Sequence, residues 1–287
     1  MQLYPLSMLV IQTISELNAV LQTLRDAAHT IGLVPTMGAL HDGHLSLVSA
    51  SQKENHITVV SIFVNPTQFN NKEDLKKYPR TPESDLKKLD QSGVDVVFIP
   101  LEKEIYPEPD TRTFDFGNLD KVMEGKHRPG HFNGVAQVVS KFFYIVQPDK
   151  AYFGEKDFQQ LAIIKQLVKQ LNLSVQIVPC SIVRESDGLA MSSRNVLLTP
   201  AQRKSAVLIS QTLFESQKKI KRLDPDTLKD WVKDTINLSE DLSVEYYEIV
   251  DDVNLMPVDS WDGAQNKIGC IAVNVGKIRL IDNIRYN

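Results

Sequence analysis

The chain has 287 residues, 42% of them hydrophobic, enough to bury a sizeable core and long enough to suggest one large domain plus a smaller one. A formal net charge of −4, from 32 basic and 36 acidic side chains, excludes the basic excess that binding a nucleic acid requires. Cys180 and Cys270 stand far apart in no metal-ligand spacing, and no run of about 18 apolar residues occurs, so a disulfide framework, a zinc site and a membrane partner are not expected and a cytoplasmic location is.

In chain order, short apolar runs rich in β-branched residues predict strands over 31–35, 57–64, 94–99, 151–153 and 174–179. Amphipathic stretches between them predict helices beginning near His44, Pro82, Asn133 and Asp157, the last carrying Leu161, Ile164, Leu167, Val168 and Leu171 at helical spacing. This alternation is that of βαβ units on a parallel sheet, giving the fold class α/β with a Rossmann-like, doubly wound sheet. After about Arg184 the pattern changes. Helices from Pro200 and from the Asp224-Pro225-Asp226 start signal precede strands over 244–250, 268–275 and 277–281, which predicts a smaller α+β domain. The expected boundaries are 1–184 and 185–287.

Four segments carry candidate chemistry. Val34 to His44 follows the first predicted strand and runs into a helix, where unpaired backbone N–H groups and a positive helix end suit a phosphate. Gly38 and Gly43 allow close backbone approach, and His41 and His44 supply imidazole donors; two surface histidines or half a metal site is the competing reading. Phe153 to Gln160 lies between a short strand and a long helix, with Lys156 as a compact cation beside Gly154; a solvated helix start capped by Asp157 competes. Arg184 to Asn195, with Ser192, Ser193 and Arg194 in succession, suits a clamp on a triphosphate or a polar interdomain linker. Phe63 to Phe69 offers the amides of Asn65 and Gln68, suited to a ligand bearing hydroxyls and a carboxylate, or an ordinary loop.

Together with Tyr78 to Pro82 and Arg128 to Val135, these segments resemble the pantothenate synthetase family over nearly the whole chain. That family stands within the nucleotidyltransferase superfamily that includes class I aminoacyl-tRNA synthetases, whose His-x-Gly-His and Lys-Met-Ser-Lys-Ser elements are similar to His41–His44 and Met191–Asn195; Arg194 replaces an expected lysine. The resemblance implies an ATP-dependent, AMP-forming ligase that joins pantoate to β-alanine through a pantoyl-adenylate, working as a homodimer with ATP and magnesium. It implies ATP binding by Met37, Gly38, Ala39, Leu40, His41, Asp42, Gly43 and His44, by Gly154, Glu155, Lys156 and Asp157, by Val183 at the adenine, and by Met191, Ser192, Ser193 and Arg194. His44 takes the role of proton donor. Catalysis is assigned to His41, His44, Lys156, Ser192, Ser193 and Arg194, and pantoate binding to Gln68 and Gln160. Gln68 also lies near β-alanine, with Asn65 and Arg128 as further candidates. Asp85 is the candidate metal ligand, in a place where some relatives carry two acidic residues, while magnesium held chiefly by ATP is expected. The competing activities are a nucleotidyl transfer that leaves a nucleotide on its product, and a metal-binding or regulatory module built on the histidine pair.

Overall fold

The computed structural model describes residues 8–286. They form nine strands and two sheets, in two compact units.

The first unit holds the residues up to Phe116, then Arg128–Glu155 and Ile163–Ser181. Its sheet is built from β1 (Leu9–Ile11), β2 (Ile31–Thr36), β3 (Ile57–Ile62), β4 (Val96–Phe98), β5 (Lys150–Gly154) and β6 (Gln176–Cys180), in the order β1-β4-β3-β2-β5-β6. Every pairing is parallel. The five strands read from apolar runs are present. β1, missed at three residues, pairs along the edge with β4. Its helix, Ile14–Asp26, has a Thr13 cap and a buried Leu17–Leu21–Leu24 stripe, a legible signal that the run of predicted elements began too late to include.

From β2 the chain steps outward through β3 to β4, then returns to the other side of β2 for β5 and β6. The order therefore reverses between β2 and β5, the place where open parallel sheets bind ligands. The chain that leaves β2 enters the Met37–His41 loop, and the chain that leaves β5 enters Glu155, at the same edge. One face of the sheet buries Val34, Val60, Val97 and Tyr152 against Leu47 and Val48 of the Asp42–Glu54 helix and Leu89 of the Pro82–Gln91 helix.

The second unit comprises Gly117–His127, Lys156–Ala162 and the chain from Ile182 onward. Its sheet, β7 (Leu242–Asp251), β8 (Lys267–Val275) and β9 (Ile278–Tyr286), is antiparallel in sequence order. One face buries Tyr247, Ile249, Ile271 and Val273 against Ile209 and Leu213 of the Pro200–Lys219 helix and Leu228 and Val232 of the Pro225–Asn237 helix. Both helices start where their Pro and cap residues place them, with Thr199 and Gln202 in a reciprocal capping box and Asp224 accepting from Thr227 N–H. The opposite face buries Tyr246, Val250, Ile268, Cys270 and Ala272 against Met123 and Phe158. That second cover is why 117–127 and 156–162 fold with the tail rather than with their sequence neighbours, a division that differs from the single boundary expected at residue 184. Burial on both faces also explains why β8 reads as an almost unbroken apolar run.

Gly134, in the His131–Val146 helix, permits a close approach of backbone to backbone in the first unit. A Cβ there would lie 2.4 Å from the Thr67 carbonyl oxygen and 2.7 Å from the Gln68 nitrogen, both backbone atoms that cannot swing aside. Gly134→Ala is expected to lower stability by about 1–3 kcal/mol through overpacking, read as a drop in the urea midpoint with an unchanged m-value.

Candidate functional site

The β2 loop is held by a carboxylate rather than left open. Gly38 at φ 78° and Ala39 at φ 49° turn the chain through the left-handed region, which for alanine costs about 1–2 kcal/mol. Asp85, 1% exposed, offsets that cost. Its Oδ2 accepts from Ala39 N–H at 2.8 Å, and its Oδ1 from Leu40 N–H at 2.8 Å and the Thr81 hydroxyl at 3.0 Å. The Lys88 ammonium donates to the Leu40 carbonyl from the same helix. Gly38 N–H donates to Thr36 Oγ1. The amides expected to be offered to a phosphate are therefore already engaged inside the protein at Gly38, Ala39 and Leu40.

What the loop presents instead is a pair of imidazoles. His41 caps the Asp42–Glu54 helix: its Nδ1 accepts from Gly43 N–H at 3.2 Å, while His41 N–H donates to His44 Nδ1 at 3.3 Å. This is a capping box made of two histidines, their ring centroids 4.1 Å apart. An Nδ1 that accepts from a backbone N–H carries no proton, so in each neutral ring the proton sits on Nε2. Both imidazoles are thus fixed as Nε2–H donors.

Beyond β3, the four-point bonding of Asn65 fixes the next loop. Asn65, 1% exposed, donates from Nδ2 to the Gln68 Oε1 at 3.2 Å and the Gly134 carbonyl at 3.0 Å. Its Oδ1 accepts from the Tyr106 hydroxyl at 2.9 Å and the Thr67 hydroxyl at 3.2 Å. With its capacity used, Asn65 acts here as the support of Gln68. The Gln68 Nε2 rests on Met37 Sδ at 3.0 Å, a weak acceptor that a ligand oxygen would displace, and this contact joins the β2 and β3 loops.

His131 carries a role that sequence reading missed. Its Nδ1–H donates to the Gln68 carbonyl at 2.9 Å, which leaves Nε2 to accept from Arg128 Nη1 at 3.2 Å. One buried ring therefore sets both a glutamine and an arginine singled out as substrate candidates. The histidine was visible in the Arg128–Val135 stretch, but its partners, the Gln68 carbonyl in a distant loop and the Arg128 guanidinium ahead of its own helix, are not revealed by spacing alone.

In the second unit, Lys156 Nζ lies 3.4 Å from Asp157 Oδ2. Of the adjacent glutamines, Gln159 is buried and bonds to Glu124 N–H and to the carbonyls of Leu119 and Val122, while Gln160 is half-buried. Residues 184–190 form a tight hairpin with an Arg184–Ala190 bridge and Gly188 at φ 95°, followed by Met191 N–H on the Val183 carbonyl. Ser192 then closes a turn, its hydroxyl accepting from Arg194 N–H and its carbonyl from Asn195 N–H. Asn195 Nδ2 ties that turn to the Ala190 carbonyl. Ser192, Ser193 and Arg194 are all half-buried.

No three His, Cys, Asp or Glu side chains are grouped to hold a metal among the described residues, and both Asp85 oxygens are spent on the loop. The donor set thus does not fit a metal held by the protein itself. Among the described residues no helix is long and apolar enough to cross a membrane.

Comparison with known proteins adds a family. The family model described as pantoate-beta-alanine ligase matches residues 9–285. The chain is 53% identical over 277 residues to a pantothenate synthetase of Porphyromonas gingivalis, covering 96% of this chain and 99% of that protein. It is 55% identical over 280 residues to one of Bacteroides fragilis, covering 97% and 99%. Among solved structures, a pantothenate synthetase from Thermus thermophilus is similar with a TM-score of 0.91 at 40% identity, covering 98% of this chain and 100% of that one. A pantoate-beta-alanine ligase from Francisella tularensis, complexed with beta-gamma ATP and beta-alanine, is similar with a TM-score of 0.82 at 36% identity, covering 97% of each chain.

Asp85→Ala would strand two loop amides, each costing about 1–3 kcal/mol when buried without a partner. The expected loss is about 2–5 kcal/mol in chemical denaturation, with the His41–His44 imidazole resonances shifted in NMR spectra of the still-folded fraction.

Proposed function

Because the chain belongs to the pantoate-beta-alanine ligase family, we propose that it condenses pantoate with β-alanine, converting ATP to AMP and pyrophosphate. The observation that carries the reading is the His41–His44 pair, fixed as two Nε2–H donors at the reversal point of a parallel sheet.

A carboxylate is a poor acyl donor because its leaving group would be oxide. A pantoate carboxylate oxygen attacks the α-phosphorus in line, the bond to the β-phosphate oxygen breaks, and pyrophosphate leaves. Negative charge grows on the α-phosphoryl and pyrophosphate oxygens. His41, His44, Lys156, Ser192, Ser193 and Arg194 are assigned to meet it, with His44 as the proton donor. The amine of β-alanine then attacks the acyl carbon, loses a proton and expels AMP. No covalent bond to the enzyme is needed, and much of the acceleration comes from holding two small reactants at attacking distance.

The ATP contacts are assigned to Met37 through His44, to Gly154, Glu155, Lys156 and Asp157, and to Met191 through Arg194, with Val183 at the adenine. Gln68 and Gln160 are assigned to pantoate, and Arg128, oriented by His131, to the β-alanine carboxylate. The bonding of Asn65 favours a role in fixing Gln68 over one in touching substrate. Magnesium enters only as the companion of ATP, held by its phosphates, and no step rests on it. The reading extends to a cytoplasmic homodimer, the state that the family resemblance implies; light scattering on the purified protein checks the assembly.

Incubation with ATP, magnesium, pantoate and β-alanine is expected to yield pantothenate, AMP and pyrophosphate by mass spectrometry, and pyrophosphate exchange into ATP should depend on pantoate. A product still carrying a nucleotide would defeat the reading. Removing a single hydrogen-bond donor to the developing charge typically costs about 2.7–4 kcal/mol of transition-state stabilisation. Lys156→Ala and His44→Ala are therefore each expected to lower kcat about a hundredfold or more while circular dichroism stays native. Near-normal turnover in both would overturn the assigned roles.

A further inference from the structure

Two neighbouring residues of β9, Asp282 and Asn283, hold two separate segments that the function assigns to ATP. In an extended strand, consecutive side chains point to opposite faces of the sheet. Asp282 pairs in register with Ile271, on the face covered by the Pro200–Lys219 helix, and Asn283 with Cys270, on the face covered by Phe158.

On the first face Asp282, 4% exposed, grips Arg184 with two bonds, Nη1 to Oδ2 at 2.7 Å and Nη2 to Oδ1 at 2.9 Å. The same guanidinium donates to the Gly188 carbonyl at 3.1 Å and stacks 4.9 Å over Phe214. It therefore ties the first residue of the 184–190 hairpin to its turn, just ahead of Met191–Arg194. Burial pushes the Asp282 carboxyl up, with Arg184 and more weakly Lys156 pulling it back down. On the second face Asn283 Nδ2 donates to the Lys156 carbonyl at 3.0 Å. The two grips are themselves tied, since Asn283 N–H donates to Asp282 Oδ1 at 2.8 Å.

We propose that Asp282 and Asn283 are positioning residues for ATP, a strand dipeptide that sets the Lys156 ammonium and the Met191–Arg194 turn in one mutual register. The inference rests on the ligase reading and deepens it. A guanidinium held by two parallel bonds resists rotation as well as translation, so the hairpin is oriented and not merely attached. A bond to the backbone of Lys156 fixes the root of a flexible side chain, which lowers the entropy lost when its ammonium meets a phosphate.

The test measures pantoate-dependent exchange of labelled pyrophosphate into ATP by the full-length protein, Asn283→Ala, Asp282→Asn and Ser216→Ala. Ser216 is buried in the same unit but bonds to Leu213 and Tyr286 instead, and so reports on loss of packing alone. In Asn283→Ala, KM for ATP is expected to rise about tenfold, the equivalent of about 1.4 kcal/mol for one lost hydrogen bond. KM for pantoate should stay unchanged. Asp282→Asn should raise KM for ATP further, and Ser216→Ala should lower the unfolding midpoint while leaving both KM values alone. If Asp282→Asn does not fold, Asn283→Ala decides. The proposal is overturned by a folded Asn283→Ala with unaltered KM for ATP, by KM for ATP and pantoate rising together, or by Ser216→Ala reproducing the ATP effect. Absence of pantoate-dependent exchange in the unmutated protein would instead defeat the ligase reading, and the positioning role with it.

Discussion

A loop that must offer fixed side chains to a ligand cannot leave its own amides loose. In the first unit that constraint is met by one buried carboxylate, Asp85, which accepts from Ala39 and Leu40 N–H. Ala39 keeps an unfavourable backbone geometry because these bonds hold it there. With the turn pinned, His41 falls at the cap of the following helix and the two histidines satisfy one another's backbone. The tautomers, and with them the direction of the donated protons, follow from that anchoring.

The same economy recurs around the substrate candidates. Asn65 and His131 are buried polar groups whose hydrogen-bonding capacity goes to orienting Gln68 and Arg128. A buried amide or imidazole that is fully bonded is rigid, because any rotation leaves a donor or acceptor without a partner at a cost of about 1–3 kcal/mol. Side chains assigned to substrate are thereby held in place by their buried, fully bonded neighbours.

In the second unit the organising fact is a sheet covered on both faces. The helices from Pro200 and Pro225 cover one side, and Met123 and Phe158 cover the other. The Glu124 carboxylate, bonded to Arg279 and the Tyr246 hydroxyl, secures the 117–127 segment to that second face. Burial of Tyr246 and its contact with Glu124 hold the phenol well above its usual range, so it remains a donor to the carboxylate. Such a sheet can carry polar grips in opposite directions from adjacent residues, as Asp282 and Asn283 do.

By itself the sequence determined the elements whose signals are local. Apolar runs placed the five longer-signalled parallel strands, Pro and Asp caps placed the two helices of the tail, and the strand-glycine-histidine order placed the β2 loop at a sheet edge. Periodicity and caps act within a few residues, so they survive in one dimension. Tertiary structure alone decided three things. It showed that 117–127 and 156–162 fold with the tail, because Met123 and Phe158 find their apolar cover far along the chain in β7 and β8. It showed that Asp85 spends its oxygens on the β2 loop, a pairing across 45 and 46 positions. It also gave His131 its two partners. Each of these depends on which buried polar or apolar group meets which other, and hydrogen-bond satisfaction between distant residues leaves no periodic trace in the chain.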